Sequence, residues 1–120
     1  MAGKLAVSIT SGKNDTDKAT VGFVVANASV ASGQETVVFL STEGAWLAKK
    51  GYADSIHEAG FAALKELMTN FINAGGIVWV CSPCAKKRNI GEGDLIEKAV
   101  IVGGAKLVEF LSLGAACITY

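Results

Sequence analysis

The sequence predicts one three-layer α/β/α domain, residues 1–120, built on a five-stranded, mostly parallel sheet. Apolar, strand-like runs alternate with helix-patterned segments in the order β-α-β-α-β-α-β-α-β, the signature of strands joined by helical crossovers. Those runs are continuously apolar instead of alternating, as burial on both faces requires. Glycine stands at the helix-to-strand junctions 33, 75 and 114, where a left-handed cap belongs. Composition agrees: of 120 residues, 51% are apolar and 18% charged, which suits one packed domain and opposes disorder.

The elements follow in order. Lys4–Thr10 reads as a first buried strand, ended by Ser11-Gly12. The polar cluster from Ser11 to Thr16 supplies N-caps for a helix reaching about Ser32, with Ala19, Phe23, Ala26 and Val30 forming its apolar stripe. Glu35–Ser41 is a β-branched second strand. A short helix through Trp46, Leu47 and Ala48 is expected to end at Gly51, and residues 52–60 to be mostly loop. Phe61–Asn73 is predicted as an amphipathic helix, with Phe61, Leu64, Met68, Phe71 and Ile72 on one face. Ile77–Cys81 is the third strand, followed by a helical turn over Ala85–Arg88. Lys98–Val102 is a fourth strand, a helix opens at Gly103-Gly104, and Ala115–Tyr120 closes the fold.

Several function classes fall away. Eleven Lys and Arg balance eleven Asp and Glu, and no basic run exceeds Lys86-Lys87-Arg88, so no footprint for nucleic acid exists. The most apolar stretch, Ala99–Thr119, is interrupted by Lys106, Glu109 and glycines, whereas a membrane span needs about 20 mostly apolar residues. The first residues carry no long apolar leader, and the expected address is the cytoplasm. Three cysteines do not make a disulfide framework.

Ligands of open α/β sheets sit beyond the carboxyl ends of the strands. Those ends hold Ser11 and Gly12, Thr42 and Glu43, Cys81 to Cys84, and Gly103-Gly104. Cys81 is the strong nucleophile among them. It ends a strand, and Pro83 stands where a helix begins, a position proline favours. A thiol at a helix N-terminus, with Lys86, Lys87 and Arg88 downstream, is expected to have a lowered pKa. Cys84 lies close enough to form a disulfide, to share a metal or to resolve an intermediate. Cys117, among apolar neighbours in the last strand, is expected to be core.

Three chemistries suit Cys-Ser-Pro-Cys. Thioredoxin-like dithiol exchange fits a strand–motif–helix context, but the thioredoxin fold also needs a cis proline opposite the motif, and Pro83 is the one proline. Structural zinc needs four ligands, and Cys81, Cys84, Cys117 and His57 show no recognisable spacing, so no metal is expected. No cofactor is expected either: Ser11-Gly12-Lys13 lacks the full phosphate-loop pattern, and Gly103-Gly104 lacks a dinucleotide fingerprint. The third chemistry is sulfur transfer, in which a thiolate accepts a sulfane sulfur as a persulfide.

Val78 to Ile90, around Cys81-Ser-Pro-Cys84, resembles the cysteine loop of the DsrE/DsrF-like superfamily. Phe39–Gly44, Gly75-Gly76 and the run from Gly103 to Tyr120 match as well, and Cys81 is followed seven residues later by Arg88. The resemblance implies a five-stranded α/β/α sandwich and a sulfur-relay role, with Cys81 as the persulfide-bearing residue. It also implies sulfur donors and acceptors, proteins or small species, as partners, and a homo-oligomer, trimer or hexamer. Cys84 is not part of the relay pattern and matches a branch bearing C-x-x-C. Persulfide relay, dithiol redox chemistry and a non-catalytic oligomeric binding module therefore all stay open.

The expected site combines Cys81 and Cys84 with a pocket of Ser11, Gly12, Thr42, Glu43, Ser82 and Arg88. His57, Glu43 and Glu58 read as solvated residues, and Trp46 and Tyr52 as packing, with a place flanking the cysteine pocket or in a subunit interface as the alternative.

Overall fold

The computed structural model describes residues 3–120. Five strands, all parallel, form one sheet among the described residues: β1 (Lys4–Ile9), β2 (Glu35–Leu40), β3 (Ile77–Cys81), β4 (Val100–Val102) and β5 (Ala116–Thr119), in the spatial order β4-β3-β2-β1-β5. The chain steps outward from β1 to β4, then returns to the far side of β1. Right-handed crossovers put helices on opposite faces when the direction of travel reverses. Accordingly α1 (Thr16–Ala31), α2 (Leu64–Asn73) and α3 (Ser82–Lys87) share one face, and α4 (Gly104–Ser112) covers the other.

The first face holds the main core. Val7, Ile9, Val38, Leu40, Val78 and Val80 project from the three central strands onto Phe23 of α1 and Phe71 of α2, whose rings meet edge-on at 5.9 Å. Asp15 caps α1 by accepting the Lys18 amide at 3.1 Å, and Asn27 ties α1 to α2 through the Leu67 carbonyl at 2.9 Å. On the second face Ala6 and Val37 are buried beneath Phe110, with Trp79 edge-on to it at 5.9 Å. Gly33, Gly75 and Gly114 all hold positive φ at the predicted junctions.

The structure corrects several boundaries. Residues Thr42–Ala48 and Tyr52–Ser55 are 3-10 helices, so the second segment is not simply loop. Helix α2 begins at Leu64, because Phe61 is taken up in a turn onto the Glu58 carbonyl and Ala63 is extended. Cys117 is exposed: β5 is an edge strand, and α4 reaches Ala6 and Val37 without covering it. No helix of the described residues is long and apolar enough to cross a membrane.

Candidate functional site: a dithiol at the carboxyl ends of the strands

Cys81 ends β3 and caps α3, while Cys84 sits within the first turn of that helix, with Pro83 in that turn as expected. Both thiols are half-buried. Their surroundings come from the loop after β2. The Thr42 amide donates to Cys84 Sγ at 3.1 Å, and the Thr42 hydroxyl donates to the Thr10 carbonyl at 2.6 Å. Thr42 holds φ 49°, a left-handed conformation that non-glycine residues rarely adopt and that clusters at functional sites.

Arg88 sits just past the end of α3 and turns back to the same loop. Its Nε and Nη2 donate to Glu43 Oε2 at 3.0 and 2.8 Å, and its Nη1 donates to the Cys84 carbonyl at 3.1 Å. The Arg88 side chain is 12% exposed and that of Glu43 45%. Arg88 therefore fixes the thiol helix against the β2 loop, and Glu43 is its ion-pair partner instead of a purely solvated carboxylate.

The β1–α1 loop closes a second side. Ser11 and Gly12 are buried, and a Cβ on Gly12 would lie 2.7 Å from the Glu43 carbonyl and 2.8 Å from the Tyr52 hydroxyl. Tyr52 accepts the Lys13 amide at 2.8 Å, stacks on Trp46 at 5.8 Å, and carries Lys13 Nζ over its ring at 4.5 Å. Trp46 and Tyr52 thus join the β1 loop to the 3-10 helices after β2. Five of the expected residues, Cys84, Thr42, Glu43, Arg88 and Gly12, meet through these contacts; Cys81 precedes Cys84 by one helical turn, and Ser11 is buried beside Gly12 in the same loop. Ser82 is exposed at the start of α3, and none of the observed hydrogen bonds ties it to the cluster.

Electrostatics depart from expectation at Cys81. Burial pushes its thiol up, and the Cys84 thiol adds to that rise, while the Cys84 amide and the Arg88 charge pull the other way. Helix α3 has only six residues, so its terminus offsets burial only in part. His57 is exposed, with Nε2 at 2.7 Å from the Phe61 carbonyl oxygen, and none of the observed hydrogen bonds ties it to the thiols. Glu58 accepts the Thr16 hydroxyl. Among the described residues no cluster of metal-ligating side chains forms. An open cleft of about 410 Å³ is lined by Glu43, Trp46, Lys87, Arg88 and Asn89, and so shares the Arg88–Glu43 pair with the site.

The model of the DsrE/DsrF-like family matches residues 3–120. The chain belongs to that family. An uncharacterized protein of Methanocaldococcus jannaschii, MJ0989, is 31% identical over 117 residues, 98% of this chain and 99% of that protein. A second from the same organism, MJ0760, is 30% identical over 103 residues, 86% of this chain. This chain spans only 38% of that relative's length. Two solved structures share the DsrE-like fold at TM-score 0.72 and 14% identity: MTH1491 of Methanobacterium thermoautotrophicum, a protein of unknown function, and the ychN protein of E. coli. The alignments cover 98% of this chain and 99% of the first structure, and 100% of both chains for the second.

Proposed function

We propose that this protein carries sulfane sulfur as a persulfide on Cys81 and passes it to an acceptor, a sulfurtransferase-type relay. The observation that carries the reading is the thiol pair itself, half-buried at the strand ends beside a guanidinium locked to Glu43. In loading, the Cys81 thiolate attacks the outer sulfur of a persulfide or polysulfide donor. The donor's S–S bond breaks, and its thiolate leaves. In release, an acceptor thiolate takes the outer sulfur and Cys81 regains its thiolate. A raised thiol pKa leaves fewer thiolates at neutral pH, and the stronger nucleophilicity of each offsets that loss only in part, so loading should quicken as pH rises.

The placing of two half-buried thiols three residues apart, at the end of β3 and in the first turn of α3, favours a second reading, dithiol exchange. In the loaded state the Cys84 thiolate can attack Cys81 Sγ, breaking the persulfide bond, expelling hydrosulfide and leaving a Cys81–Cys84 disulfide. A homo-oligomer fits the exposed apolar side chains of Ile77, Val100, Val108 and Leu113, which a second copy would cover. We place the relay in the cytoplasm, where thiols stay reduced, with sulfur donor and acceptor proteins or small sulfur species as partners.

Intact mass after exposure to polysulfide, or to a cysteine desulfurase with cysteine, tests the proposal beside Cys81→Ser and Cys84→Ser. Gain of whole sulfur atoms that vanishes with Cys81→Ser is the expected result. Loss of two hydrogens that needs both cysteines would promote dithiol exchange. Undiminished loading of Cys81→Ser would overturn the carrier reading.

A further inference from the structure

A second concavity lies away from the thiols, between the 3-10 helices after β2, helix α2 and the turn before β4. Its volume is about 280 Å³, at the lower edge of ordinary small-molecule sites. Leu47, Ala53, Met68, Ile72 and Ile96 form its apolar floor. Lys49, Lys50, Lys65 and Lys98 line it against Asp54 and Glu97, four positive charges to two negative. Asp54 is already paired with Lys65 at 3.5 Å, and among the described residues no carboxylate pairs with Lys49, Lys50 or Lys98: Lys50 Nζ reaches the Gly93 carbonyl at 3.4 Å and Lys49 Nζ lies over the Trp46 ring at 5.6 Å.

The walls are pinned by backbone. The Ile96 amide donates to the Ala48 carbonyl at 2.7 Å, and the Lys50 amide to the Asp94 carbonyl at 2.8 Å. The opening is therefore preformed and needs no ligand to shape it. Lys98 holds φ 68° in the adjoining turn, where glycine would fit without strain. A lysine kept in that conformation at the mouth of an apolar cavity is an outlier of the kind that gathers at ligand sites.

We propose that this cavity binds a small amphiphilic anion, an aliphatic or aryl carboxylate, with its hydrocarbon on Met68 and Ile96 and its carboxylate among Lys49, Lys50 and Lys98. The net positive lining selects the sign of the ligand, and the apolar floor selects its body. The proposal is independent of the sulfur chemistry, since no thiol lines the cavity.

Titration of the full chain with octanoate, followed by amide shifts in nitrogen–proton NMR spectra, tests it. Octanoate is expected to saturate, with shifts concentrated at Leu47, Ala53, Met68, Ile72 and Ile96. Octylammonium, with the same body and opposite charge, should bind at least tenfold more weakly, and acetate should not saturate. Lys49→Gln with Lys98→Gly should weaken octanoate at least tenfold; Lys98→Gly suits the turn, so the fold is not at risk. Thr69→Trp, which fills the cavity from α2, should abolish saturation. Equal affinity for octanoate and octylammonium, shifts centred elsewhere, or no saturation in the parent chain would overturn the proposal.

Discussion

Gly44→Ala is the substitution in which fold and site fail together. Gly44 lies in the 3-10 helix after β2, where a Cβ would sit 2.1 Å from the Ile9 carbonyl oxygen, 2.9 Å from its carbon and 3.4 Å from the Ser11 nitrogen. Carbon–oxygen contacts settle at about 3.3 Å even when attractive, so the helix must back away from β1 by about 1 Å. The obstacle is backbone, not a side chain that can swing aside, and the Ile9 carbonyl is itself held by the Ser41 amide at 3.1 Å. Three hydrogen bonds stand in the path of that shift: Gly44 N–H to Ser41 O at 2.9 Å, Thr42 N–H to Cys84 Sγ at 3.1 Å and Thr42 Oγ1 to Thr10 O at 2.6 Å. At about 1 kcal/mol net for each, the loss comes to about 3 kcal/mol, or a fall in Tm on the order of 10 °C for a domain of this size. Urea unfolding measures the stability. Alkylation of Cys84 in a background with Cys81 and Cys117 replaced by serine measures the site, and its rate should change once the Thr42 amide withdraws. A Gly44→Ala chain within about 0.5 kcal/mol of the parent, with unchanged Cys84 alkylation, would refute the reasoning.

Three further perturbations probe separate links. Arg88→Met removes the cation that draws the Cys81 thiol down, so alkylation of Cys81 at pH 8 should slow, and an unchanged or faster rate would count against that role. Because burial raises the Cys81 pKa, the native state keeps a proton that the unfolded chain releases once pH passes the ordinary thiol range. That stabilisation is complete below the ordinary thiol pKa and is lost as pH climbs through the folded value, so Cys81→Ser should flatten the alkaline fall of the urea midpoint; parallel curves would sink the assignment. Phe23→Ala empties a fully buried site against the Phe71 ring and should cost about 3–5 kcal/mol in urea unfolding, a loss under 1 kcal/mol meaning that the two rings do not anchor α1 to α2.

What was legible in the sequence follows from what each signal encodes. Five parallel strands could be read because both sheet faces are covered over the central strands, leaving Val37-Val38-Phe39-Leu40 without a polar alternation. Cys117 misled for the same reason in reverse: its neighbours are apolar, but β5 is an edge strand beyond the reach of α4, and strand order is not written in local composition. The thiol pair was legible because a proline after a strand marks a helix start. The raised Cys81 thiol was not, since burial depends on how the β2 loop and α3 close around it, and the three-dimensional balance reverses the expectation drawn from the helix end alone. Glu43 and Arg88 were each legible as pocket residues from their places after β2 and β3, but their pairing joins residues 45 positions apart, which no local pattern records.

Topology explains why the chemistry-bearing residues stand where they do. The order β4-β3-β2-β1-β5 puts the change in winding direction between β1 and β5, the gap where open α/β sheets usually take their ligand. Here that gap is sealed. The Thr10 amide and hydroxyl both donate to the Tyr120 carbonyl, at 2.8 and 2.9 Å, and the Tyr120 amide returns to the Ser8 carbonyl at 2.8 Å. Gly44 then brings the β2 loop onto the end of β1, which a side chain at that position would prevent. With the usual crevice filled by backbone, the free ends are those of β2 and β3, and the Thr42 amide and the Arg88 side chain converge on α3 there. The sealing of one crevice and the placing of the thiols thus meet at the end of β1, where the Thr10 backbone holds Tyr120 through its amide and Thr42 through its carbonyl.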